Sequence, residues 1–279
     1  MRKYPQLEFD LEKLRGNARA VISRCHGQGI RVCGVVKGAD GLPEVARTLR
    51  QCGADELGTS RLEQVAKCRA AGVPGPWLLI RIPGLTELPD VVALCDTSLQ
   101  SEWATLLALE EECLRQNRTH RVIVMADLGD LREGFWDKDE LVDVCQRVEQ
   151  DLPHVHLAGI GVNLSCYGST KPTPDKMNEL VALAHRVEAR IGRSLEVVSG
   201  GAVFPTGKVY EMSGEKGSLL DGMVEDGLIK DVIVACPSYY SFPAGEEPAD
   251  VLAYHQADPH ADDWPRLFWK ELRESVIPL

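Results

Sequence analysis

Ile30-Arg31-Val32-Cys33-Gly34-Val35-Val36-Lys37 is an apolar, β-branched run that closes on a lysine, and Pro43 then opens a helical pattern that stops at Gly53. That pairing of a short buried strand with an amphipathic helix is the unit on which the rest of the chain is built. Strands are expected at 56–58, 77–82, 97–99, 122–128, 157–164, 195–198 and 232–235, and helices opening at Ser60, Ser101, Lys138 and Pro174 fall between them. Ser60 with Glu63 reads as a capping box. Ahead of the first unit lie an opening strand at 6–10 and a helix marked by Leu11, Leu14, Ala18, Val21 and Ile22. Eight strands alternating with helices predict an α/β protein of the (β/α)8 type, with its active site at the C-terminal ends of the strands.

The chain has 279 residues, so one such barrel accounts for most of it. With 44% hydrophobic and 26% charged residues it can bury a sizeable core. The formal net charge of −11 argues against nucleic-acid and anionic-membrane partners, because the average field repels phosphate. No run approaches the roughly 20 apolar residues of a membrane span, and no apolar stretch follows Met1-Arg2-Lys3-Tyr4-Pro5. A soluble, unexported, cytoplasmic protein is expected. Its nine cysteines are scattered, odd in number and never spaced CxxC, which fits reduced thiols and predicts no metal site. His255 and His260 lack a matching ligand cluster.

Strand polarity gathers the residues that could carry chemistry at one end: Lys37, Arg61, Arg81, the segment 127–132, the segment 163–168, and Ser199-Gly200-Gly201. Charged residues also collect there for no better reason than solvent. Lys37 is the informative position. A lysine held at an apolar barrel mouth is expected to be buried, which favours the neutral, nucleophilic amine and makes a Schiff base the natural chemistry to expect. An exposed lysine beginning a loop is the alternative.

Five stretches carry a resemblance to a known family: Gly34-Val35-Val36-Lys37, Glu56-Leu57-Gly58-Thr59-Ser60-Arg61, Leu78-Leu79-Ile80-Arg81-Ile82-Pro83, Met125-Ala126-Asp127-Leu128-Gly129-Asp130-Leu131-Arg132-Glu133-Gly134 and Gly161-Val162-Asn163-Leu164-Ser165-Cys166-Tyr167-Gly168. In this order they resemble the alanine/ornithine racemase family, and the Asp-Leu-Gly-Asp-Leu-Arg-Glu-Gly segment is most similar to ornithine racemase. The resemblance runs over roughly residues 4–201. It implies a pyridoxal 5′-phosphate (PLP) barrel of the alanine racemase N-terminal kind, with Lys37 as the internal aldimine lysine and as one of two acid/base groups. It further implies Arg132 near the substrate carboxylate, Asn163, Cys166 and Tyr167 on the cofactor face, Cys166 or Tyr167 as the second proton-transfer group, and Arg61, Ser199, Gly200 and Gly201 among the cofactor contacts.

The expected activity is therefore racemisation of an amino acid by α-proton abstraction, with ornithine or another basic amino acid as substrate, and Asp130 and Glu133 as candidates to meet its distal ammonium. Two other readings stay open: a PLP-binding protein without efficient turnover, and a divergent inactive homologue. Residues 202–279 depart from the family pattern. Ala202-Val203-Phe204-Pro205 follows the glycines, and no Arg-x-Gly step follows at strand eight. The expected organisation is a barrel over most of 1–201, a divergent closure at 202–250 and a tail or short helix at 251–279, with a homodimer left open.

Overall fold

The computed structural model describes residues 9–27, 29–164, 170, 173–202 and 231–235. Eight parallel strands close on themselves in sequence order: β1 (Arg31–Val35), β2 (Glu56–Thr59), β3 (Trp77–Leu79), β4 (Thr97–Gln100), β5 (His120–Met125), β6 (Val155–Gly161), β7 (Val197–Ala202) and β8 (Asp231–Ala235). β8 pairs with β7 and with β1, which seals the cylinder. Around it lie α1 (Leu11–His26), α2 (Pro43–Gln51), α3 (Leu62–Ala70), α4 (Leu88–Leu94), α5 (Trp103–Gln116), α6 (Lys138–Asp151) and α7 (Pro174–Ile191). The expected (β/α)8 barrel is thus observed.

Two concentric cores follow from strand alternation. Cys33, Val35, Leu78, Ile80, Leu99, Ile123, Met125, Ala158 and Val197 fill the barrel interior. The alternate residues, among them Val32, Val36, Leu57, Trp77, Val122, Val124 and Ile160, face outward and pack with the helices in the larger cluster. The interior is tight. A Cβ on Gly58 would lie 2.8 Å from the Cys33 sulfur and 3.0 Å from Ile80 Cγ2, so only glycine fits that layer.

The helices start and stop on local chemistry. Asp10 caps α1 by accepting from the amides of Glu12 and Lys13 at 3.0 Å, Asp137 caps α6, and Thr173 caps α7. Pro43 opens α2, Asn117 ends α5 in the left-handed region, and Gly192 ends α7 at φ 77°.

Several boundaries differ from the sequence expectation. Asp10, assigned to an opening strand, is the cap of α1; positions 6–8 of that strand lie outside the described residues. The Ser60 capping box does not form: Arg61 is the N-cap of α3 and makes no side-chain cap. The Ser60 carbonyl instead accepts from Arg81 Nε at 2.6 Å, which ties β2 to β3 and moves the helix start one residue on. β7 runs beyond 198 through Ser199-Gly200-Gly201 to Ala202, because β6 pairs with Ser199 on one side and β8 pairs with Ser199 and Ala202 on the other. Of the divergent closure, β8 is described at Asp231–Ala235; the expected tail lies outside the described residues, with His255 and His260.

Candidate active site at the C-terminal end of the barrel

Position 37 continues the inward series Cys33, Val35, two residues on, as β1 gives way to a 3-10 turn. Val36 closes the outer series and donates its amide to the Gly58 carbonyl at 2.8 Å, which fixes the strand end beside β2. The burial expected for Lys37 is not observed. The side chain is exposed, because β1 ends at Val35 and the turn lifts the lysine clear of the interior packing. No described group makes a hydrogen bond or ion pair with its ammonium. The same holds for the exposed Arg61 guanidinium at the end of β2.

Across the mouth, residues 127–134 form a pinched loop. Its base is closed by Ala126 and Phe135, with Phe135 N donating to Met125 O at 2.8 Å and Asp127 N donating to Phe135 O at 3.1 Å. Inside, Asp127 Oδ1 accepts from the amides of Gly129 and Leu131 at 2.8 and 3.1 Å. Thr170 donates to the Gly129 carbonyl at 2.8 Å. Lys138 Nζ donates to the carbonyls of Asp127 and Trp136 at 2.5 and 2.6 Å. Burial is the largest cause that pulls the Lys138 ammonium below the usual lysine range, against the opposing pull of Glu179 and Asp127.

The loop turns on three residues of positive φ, Gly129 at 114°, Leu131 at 53° and Gly134 at 117°. A Cβ on Gly134 would stand 2.5 Å from the Ala126 carbonyl carbon and the Asp127 nitrogen, so the close approach requires glycine. Between those residues sit Arg132 and Glu133. Arg132 Nη2 lies 3.5 Å from Glu133 Oε1, with the two side chains 28% and 9% exposed. The same Glu133 oxygen accepts from Asn163 Nδ2, and Asn163 is itself buried just beyond β6. Asp130 is also buried.

Sequence reading expected Glu133 and Asp130 to meet a distal ammonium. In the structure Glu133 contacts Arg132 and Asn163. Neither that role nor the Lys138 clamp was anticipated, since a charged residue's burial inside a loop leaves no periodic signal.

The remaining candidates divide. Gly200 and Gly201 lie in the second half of β7, toward the same mouth. Ser199 does not join them as a loop residue: its hydroxyl is buried in the strand without a partner among the described residues, and the residue lines a cavity of about 380 Å³. That cavity opens among the strand starts and is lined also by Arg31, Asp55, Asp96, Arg121 and Glu196, the end of a barrel that serves stability. Its charges are largely satisfied, with Arg121 and Glu196 2.8 Å apart. Arg81 is likewise structural, its fork held by Glu87 at 2.7 and 2.5 Å. Hydrogen bonding to Arg81 holds the Glu87 carboxyl below the usual range. Cys166 and Tyr167 lie outside the described residues. Among the described residues no group of three or more His, Cys, Asp or Glu is placed to hold a metal, and no helix is long and apolar enough to cross a membrane.

A closed parallel barrel, with a lysine that has no described partner after its first strand and an arginine loop after its fifth, places the chain among α/β barrels with charged side chains at the C-terminal strand ends. Within that class this chain belongs to the family described as alanine racemase, N-terminal domain, which it matches over residues 9–202. It is 34% identical over 198 residues to the lysine racemase of Thermotoga maritima, a match covering 71% of this chain and 54% of that protein. It is 33% identical over 220 residues to the ornithine racemase of Acetoanaerobium sticklandii, covering 79% and 60%. The chain therefore spans somewhat over half the length of these curated relatives. Among solved structures, PipY of Synechococcus elongatus with PLP bound superposes with a TM-score of 0.61 at 15% identity, covering 78% of this chain and 97% of that one, which shows a shared fold.

Proposed function

We propose that this chain is the PLP-binding barrel of an amino-acid racemase acting on a basic amino acid, ornithine or lysine. The observation that carries the proposal is the Lys37 amine, which stands unpaired among the described residues at the C-terminal end of a barrel in this family. Two relatives racemise lysine and ornithine, and a barrel of the same fold binds PLP. The donor set fits that cofactor: an uncommitted amine for its aldehyde, an uncommitted guanidinium at Arg61, and the backbone of Gly200 and Gly201 for its phosphate, with Asn163 beside them.

When bound, PLP supplies a conjugated ring that stabilises the carbanion left by loss of an α-proton. The chain's own residues do the rest. Arg132 takes the substrate carboxylate with a planar fork, and so points the α-carbon at the mouth. The Lys37 Nζ takes or returns the α-proton on one face, and Cys166 or Tyr167 serves the other. Exposure of Lys37 keeps its Nζ free to move between these tasks. The surplus of carboxylates draws a cationic substrate toward the protein.

The test is α-deuterium uptake. Protein purified with added PLP is incubated with single enantiomers of ornithine, lysine and alanine in heavy water, alongside its near-visible spectrum with and without borohydride. Uptake with inversion, fastest for ornithine or lysine, supports the reading. A borohydride-sensitive band without uptake replaces it by cofactor binding without turnover, and neither signal overturns both.

A further inference from the structure

We propose that Glu133 is a positioning residue that sets Arg132 for the substrate carboxylate, rather than a contact for the substrate's distal ammonium. The inference rests on the racemase reading for what Arg132 binds, but its geometry stands independently.

Glu133 is a carboxylate with a side chain 9% exposed, and burial of a charge is costly unless partners surround it. Its partners come from two strand ends. Asn163, beyond β6, donates through Nδ2 to Glu133 Oε1, and Arg132, its own neighbour in the loop after β5, approaches the same oxygen at 3.5 Å. One oxygen thus ties the arginine loop to the next strand end.

The division of labour is specific. At 3.5 Å the contact with Arg132 is an ion pair rather than a good hydrogen bond, so Glu133 holds the guanidinium in place without consuming its fork. No other described group takes the remaining N–H donors, which leaves them for a bidentate carboxylate. Glu133 is locked in turn. Leu131 at φ 53° and Gly134 at φ 117° fix the backbone on either side, and Asn163 holds the oxygen.

Both described contacts of Glu133 fall on Oε1, so its influence on the reaction runs through Arg132 and Asn163.

Glu133→Gln and Glu133→Ala separate the two contacts, because glutamine still accepts from Asn163 but no longer pairs with Arg132. In holoenzyme assays E133Q is expected to raise KM for the amino acid on the order of 10-fold with a smaller change in kcat, and E133A to lower both. A second readout needs no cofactor or turnover: phenylglyoxal labelling of Arg132 in the purified protein, followed by peptide mass. Release from Glu133 is expected to speed Arg132 labelling at least about threefold in both variants, with Arg61 as an internal reference that stays constant. Arg132 labelling at the wild-type rate in E133Q, or an unchanged KM, overturns the proposal. If wild-type protein shows no racemisation at all, the functional reading fails on its own, and the labelling comparison alone decides whether Glu133 positions Arg132.

Discussion

His120 offers a sharp test of the packing behind the barrel wall. It opens β5 on the outward series, is 1% exposed, and sets Nε2 2.9 Å from Ser98 Oγ. Ser98 Oγ also accepts from Gln100 Nε2 at 2.9 Å, so its own O–H remains for the ring, an arrangement that suits a neutral imidazole. Burial pulls the His120 pKa from 6.5 down to about 4, with Asp96 opposing. In the unfolded chain the ring takes its proton near 6.5, so unfolding binds a proton that the folded state refuses until the pH falls to about 4.

The stability His120 supplies as a neutral ring is therefore complete above about pH 7 and is lost as the pH falls through 6.5 toward 4. Integrating between those values gives a loss of about 2 kcal/mol from pH 7 to pH 5, at 1.4 kcal/mol per pH unit once the unfolded ring is mostly charged. Urea midpoints by circular dichroism at pH 7, 6 and 5 measure it. His120→Gln keeps a polar group near Ser98 but cannot titrate, and is expected to lose less than half as much over the same interval. The carboxylates held low by arginine, such as Glu87 and Glu149, give way at lower pH, and comparison with H120Q cancels the contribution of the other histidines, among them His26, His154, His156 and His185, which pair with carboxylates. Equal pH dependence in wild type and H120Q refutes the reasoning.

Three further outcomes are expected. Lys37→Ala, at an exposed position without a described partner, changes unfolding free energy by less than about 0.5 kcal/mol, yet abolishes any borohydride-sensitive band and lowers racemisation at least about 100-fold. Urea titration and deuterium uptake check the two halves separately. Gly134→Ala drives a Cβ to 2.5 Å from backbone atoms at a positive φ. It costs on the order of 2 kcal/mol or more and opens the Arg132 loop to limited proteolysis, which is read by mass spectrometry. Cys95 and Cys113, buried and pushed up to about 12, resist iodoacetamide at pH 8 in the native protein and react once it is unfolded.

Strand periodicity and turn chemistry were enough to lay out the barrel and to rank Lys37 first, because alternation of apolar runs with amphipathic helices is a local property. The helix opening at Lys138 begins there, and the strand expected at 232–235 falls within a residue of the observed element. The errors lie at strand ends. Ser60 lost its capping role when its carbonyl went to Arg81, and the β7 boundary moved because strand length is set by the neighbours that pair with it.

What the sequence by itself determined was the order of elements, the polarity that brings five motif-bearing strand ends together, and the residue types available there. What only the tertiary structure decided was the state of those residues: that Lys37 stands exposed, that Ser199 lines the cavity among the strand starts, and that Glu133 pairs with Arg132 and accepts from Asn163. Burial and charge pairing are sums over groups distant in the chain, so no local pattern of residues encodes them.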